Sequence, residues 1–142
     1  MTPFVAFAFV AIAVTGIVQS CRFEDMTAQL EDMRHEMHLL TGQLNDSPIG
    51  KPDVFAKRGG SHVTLPFRPR DASAFKQAVL RAAQHIGYFV PKDHDLAGQV
   101  VLCTPKSKYR SLYIDDATGG GVRVGIYATH PPVIGAPLCW RQ

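Results

Sequence analysis

No glutamate occurs after Glu36, and no charged residue precedes Arg22. The first absence splits the charge. Residues 1–44 carry Arg22 and Arg34 against five acidic residues, a net −3, whereas residues 45–142 carry 13 Lys and Arg against seven Asp, a net +6. A basic body favours anionic partners such as lipid headgroups, cell-wall polymer or nucleic acid, although +6 also suffices simply to keep a small domain soluble. Cysteine is scarce: Cys21, Cys103 and Cys139 form no C-x-x-C pair, and no histidine sits beside them, which excludes a zinc knuckle. The 12 glycines have no period, which excludes a collagen-like chain. With 46% hydrophobic and 19% charged residues in 142 positions, the chain is neither wholly disordered, nor multi-pass, nor multi-domain.

Catalytic signatures are missing as well. There is no G-x-S-x-G and no H-E-x-x-H. Gly119-Gly120-Gly121 lacks the Lys-Ser/Thr of a phosphate loop and lies between two expected strands, so it reads as a turn. His94 between Asp93 and Asp95 has no second ligand at a telling spacing and reads as a polar loop, and His62, His85 and His130 are scattered. The expectation is therefore a protein that is not an enzyme, with no cofactor, no metal and no catalytic residues.

What is present begins at the N-terminus. Residues 3–18 read PFVAFAFVAIAVTGIV, at the short edge of what spans a bilayer and a little long for a signal-peptide core. Ile17-Val18-Gln19-Ser20-Cys21 resembles the bacterial lipobox, a resemblance that implies acylation of Cys21 and its exposure as the new N-terminus. Such signals carry a basic residue at the front, and MTPFVAF has none, which favours an uncleaved signal anchor over 1–20. A helix buried in a virion or secretion particle is the third fate.

Beyond it, Phe23, Met26, Leu30, Met33, Met37, Leu40 and Leu44 follow in steps of 3, 4, 3, 4, 3 and 4. This a/d repeat predicts a left-handed coiled coil over 21–44, a rod of about 33 Å at 1.5 Å per residue. Three methionines in the seam encode oligomer number poorly. The alternative is one amphipathic helix folding back on its own domain. A lipidated cysteine followed at once by heptads is similar in layout to the bacterial murein lipoproteins.

Two prolines and three glycines make 45–60 a linker. The region 61–142 reads as a small α+β domain, one helix on a mostly antiparallel sheet. Its strands are His62–Phe67, where Pro66 marks either an edge strand or the strand's end, then Gln99–Thr104, Tyr109–Ile114 and Val122–Ala128, with a candidate short one at Tyr88–Val90. The helix starts at a cap on Asp71 or Ser73, shows apolar Phe75, Ala78, Val79, Ala82 and Ile86, and closes at Gly87. Val100, Leu102, Leu112, Ile114, Val122, Val124 and Ile126 form the sheet face it would cover.

Cys103 and Cys139 either pair in an oxidising compartment or remain two buried thiols. Alternation sends Lys106, Lys108 and Arg110 to one face as a basic patch, with Tyr109 and Tyr113 on the other, a poor arrangement for base stacking. The functional expectation is an exported, membrane-anchored interaction protein of the periplasmic side. Its coiled coil would tether a basic domain within an envelope or virion assembly. Its partners would be the membrane, itself, other envelope proteins and an anionic polymer, with nucleic acid disfavoured. The alternative is a monomeric lipoprotein whose domain binds cell-wall polymer or a small ligand.

Overall fold

The computed structural model describes residues 28–57, 60–92, 99–129 and 139. Helix α1 covers residues 28–41 of this range. It is followed by β1 (Asp53–Lys57), β2 (Gly60–Phe67), α2 (Ala72–His85), β3 (Val100–Thr104), β4 (Ser107–Ala117) and β5 (Gly121–Thr129). The strands form one fully antiparallel sheet in the order β1-β2-β5-β4-β3. Both helices cover one of its faces, so the fold is a two-layer α+β domain.

Alternation along the strands builds the inner face: Val63, Leu65 and Phe67 from β2, Leu102 from β3, Leu112 and Ile114 from β4, and Val122, Val124 and Ile126 from β5. Helix α2 starts at Asp71, whose Oδ1 accepts from the Ala74 amide at 2.9 Å, and it buries Phe75, Val79, Ala82 and Ala83. Gly87, at φ +102°, takes the left-handed conformation that ends the helix.

The second helix is where the sequence expectation changes. Met33, Met37 and Leu40 lie in the same core as α2 and the sheet, at 2% exposure or less, with Leu30 and Leu44 packed against it. The stripe read as an oligomer seam is thus the inward face of α1. A 3–4 repeat over three heptads suits a helix packed on a sheet as well as one packed on another helix. Phe23 and Met26, the first two seam positions, lie outside the described residues.

Three further corrections follow from the same packing. The segment 45–60 is not a free linker, because Asp53–Lys57 pairs with β2 and the Ile49 amide donates to the Pro66 carbonyl at 2.9 Å. Second, β2 lies inside the sheet between β1 and β5, so Pro66 marks the strand's end and not an edge strand. The Pro66 carbonyl points away from β5, so its missing N–H falls beyond the start of β1, where no ladder bond is lost. Third, β4 runs past the expected end at Ile114 to Ala117, where Asp115 and Asp116 have cationic partners in Arg123 at 2.8 Å and Lys76 at 2.6 Å. Within Tyr88–Val90 only Phe89 pairs, in a single bridge to Cys103.

Candidate functional site

Two side-chain constellations stand out, one beneath α1 and one on the open face of the sheet. The first begins with Asp32 and Glu36, spaced i and i+4 and therefore on one side of α1. Alternation on β4 sends Arg110 to the inner face with Leu112 and Ile114, directly beneath them. Glu36, 3% exposed, accepts from Tyr88 Oη at 2.7 Å through Oε2, and from Lys106 Nζ at 3.0 Å and Arg110 Nη1 at 3.1 Å through Oε1. Arg110 Nη1 also donates to Asp32 Oδ2 at 2.5 Å.

These contacts move the protonation equilibria. The hydrogen bond from Arg110 holds the Asp32 carboxyl below its ordinary value. Burial, followed by the neighbouring Glu36 charge and hydrogen bond, pushes the Tyr88 hydroxyl far above its usual value. Burial opposes the Arg110 charge, yet the bond to Asp32 and the Glu36 charge outweigh it, so its pKa rises. Arg110 Nε is buried without a hydrogen-bond partner among the described residues.

The expected basic patch is therefore divided. Arg110 is buried and Lys106 is paired, both on acidic groups of α1. Lys108 stays at the surface, its ammonium 5.4 Å from the Tyr109 ring centroid. The acidic stretch and the basic body, read as two separate charges, meet within one molecule.

On the opposite face, register sets Phe55, His62 and Tyr127 side by side across β1, β2 and β5. Their rings lie nearly parallel, with centroids 5.2 and 6.2 Å apart and interplanar angles of 10° and 16°. Phe55 is 39% and Tyr127 37% exposed. His62 Nε2 lies 3.3 Å from Asp53 Oδ2 at the rim. Beside this row Tyr113 lies across Gly125 and its hydroxyl meets Thr64 Oγ1 at 2.9 Å. Such a surface offers aromatic contact flanked by hydrogen-bonding groups.

Cys103 also points to this face, from β3, and is joined to Cys139 in a disulfide. Cys21, the lipidation candidate, and His94 with its flanking aspartates lie outside the described residues, as does the segment 1–20. Among the described residues no helix is long and apolar enough to cross a membrane, and no three of His, Cys, Asp and Glu gather to hold a metal ion. An open cleft of about 330 Å³ between the end of α1 and the start of α2, lined by Leu44, Asp46, Arg70, Asp71 and Phe75, holds neither His nor Cys.

The aromatic row escaped the sequence reading because β1 was hidden inside a proline-flanked stretch. The buried cluster had a signal in Asp32 and Glu36, an acidic pair beside an apolar stripe, in a chain whose remaining charge is positive. No protein-family model, curated protein or solved structure matches this chain.

Proposed function

We propose that the protein is an exported, membrane-anchored interaction protein whose body works as a single protomer close to the bilayer. The observation that carries this reading is the burial of Met33, Met37 and Leu40 in the domain's own core. That burial leaves the α1 stripe no second face with which to assemble, which favours the monomeric alternative over the oligomeric tether. The apolar segment 1–20 supplies the anchor, either as an uncleaved helix or through an acylated Cys21. The Cys103–Cys139 disulfide supports an oxidising compartment.

The partner this reading assigns is cell-wall glycan, met by the row of Phe55, His62 and Tyr127. Its aromatic surface is flanked by the Asp53 carboxylate and the Thr64 and Tyr113 hydroxyls, donors and acceptors suited to sugar hydroxyls. Two exposed aromatics in polar surroundings make a small apolar patch beside the roughly 800 Å² per partner of a standard protein interface. The role is binding, not catalysis.

The test is co-sedimentation of the full chain with insoluble cell wall, alongside membrane fractionation. The reading expects membrane association that is lost without residues 1–20, and cell-wall retention that falls at least several-fold in Tyr127→Ala. A freely soluble full chain, or equal retention of Tyr127→Ala and the parent, would overturn it.

A further inference from the structure

We propose that the glycan met by the aromatic row is an N-acetylated one, and that a small cavity beside Tyr127 receives the acetamido group of its sugar. The inference rests on the glycan reading above and names the class of sugar for that same site.

Register places the cavity. Ser111 of β4 lies opposite Tyr127 of β5 on one side and opposite Cys103 of β3 on the other. The line Phe55, His62, Tyr127 therefore continues through Ser111 to the Cys103–Cys139 disulfide. Thr129, two residues on from Tyr127 and on the same face, donates through Oγ1 to the Tyr109 carbonyl at 3.4 Å. Val101, Tyr109, Ser111, Thr129 and Cys139 line a cavity of about 50 Å³ at this end of the row. Side chains directly opposite on antiparallel strands have Cβ atoms about 5 Å apart. A sugar resting against Tyr127 thus has the cavity within about one ring width.

Size selects a substituent over a ring. An apolar cavity of about 150 Å³ takes one benzene molecule. A space of about 50 Å³ excludes a pyranose and admits a single small group carried by one.

The lining then selects which group. Val101 and Cys139 are buried, at 7% and 9% exposure, and with Tyr109 they offer apolar contact to a methyl. Ser111 supplies a hydroxyl that can donate to an amide carbonyl. An acetamido group joins those two needs, whereas a hydroxymethyl group has no methyl to bury. Two cations border the cavity as well, and both are engaged: Arg110 on Asp32 and Glu36, and Lys108 over the Tyr109 ring at 5.4 Å. That engagement disfavours a carboxylate as the occupant. Burying one methyl group strengthens binding by about fourfold.

The experiment sediments the full chain, in mild detergent, with chitin and with cellulose. These insoluble, uncharged polymers share one linkage and differ in an acetamido group against a hydroxyl. Retention on chitin is expected to exceed retention on cellulose at least fourfold. Ser111→Leu and Val101→Phe, which fill the cavity from two different strands, should lower chitin to the cellulose level and leave cellulose unchanged. Tyr127→Ala should lower both. Equal retention of the parent on the two polymers, a comparison that needs no variant, would overturn the acetamido assignment and leave the glycan reading intact. Retention on whole cell wall with none on chitin would do the same. A preference for chitin that survives in both filled variants would overturn the cavity as its seat. Retention on no glycan at all would overturn the assignment and the glycan reading together.

Discussion

Removing the Glu36 carboxylate tests how α1 is held. In Glu36→Ala, Arg110 keeps only the half-exposed Asp32 as counter-charge, and the buried Tyr88 hydroxyl loses its acceptor. Breaking a buried pair by deleting one partner costs about 3–5 kcal/mol, because the remaining charge is left uncompensated. Asp32 still neutralises part of Arg110, so the lower end, about 3 kcal/mol, is the expectation. For a domain of this size each kcal/mol moves the melting temperature by roughly 4–8 °C, giving a drop of about 12–24 °C. The companion variant replaces both charges, Glu36→Met with Arg110→Met. Apolar residues of similar volume in place of a buried pair are often neutral or stabilising, so the double variant should recover most of the loss. Urea unfolding of the parent, Glu36→Met, Arg110→Met and the double variant gives the coupling directly. A loss below about 1 kcal/mol for Glu36→Ala, or additive losses in the double variant, would refute the assignment of this cluster as the clamp on α1.

Tyr88 makes the fold sensitive to alkali. Its folded pKa lies above the unfolded value of 10.0, so its contribution is complete below pH 10 and lost as pH rises beyond it; Tyr88→Phe should flatten that decline in a pH series of urea midpoints. Asp32 acts at the other end: its depressed carboxyl contributes above the ordinary 3.8 and loses that contribution as pH falls below it, a loss that Asp32→Asn should remove from the acid limb. Reducing Cys103–Cys139, a link across 36 residues, should lower unfolding stability by about 4 kcal/mol on the chain-entropy model, read as a shift in urea midpoint with and without dithiothreitol. Gly125→Ala would press a Cβ against Cζ and the hydroxyl of Tyr113 and should cost about 1–3 kcal/mol; paired with Tyr113→Ala, which clears the space, it should cost less than the sum of the two.

Much of the sheet was legible because period two is a strong signal when one face is buried. The inner residues of β3, β4 and β5 alternate as expected, and α2 shows both its cap and its closing glycine. The difficulty lay where one local pattern serves two tertiary outcomes. An unbroken 3–4 repeat specifies a helix with an apolar stripe, but its covering surface depends on distant residues: Leu112, Ile114 and Arg110 of β4. Strand β1 was hidden for a different reason. The five residues of β1, set between Pro52 and Arg58-Gly59-Gly60, carry too little alternation to outweigh their flanks, and their pairing with β2 is a tertiary fact. Polar strand ends such as Asp115 and Asp116 look like turns until Arg123 and Lys76 are seen opposite them. In each case the missing information was the partner, not the propensity.

The central claim is that the stripe of α1 is occupied by its own sheet. Sedimentation equilibrium of the full chain in density-matched detergent tests it most directly. A mass of one protomer per particle, unchanged over a hundredfold range of protein-to-detergent ratio, is the expected result. A particle of two or more protomers that falls to single copies in Met33→Asp, with the body still folded, would contradict it.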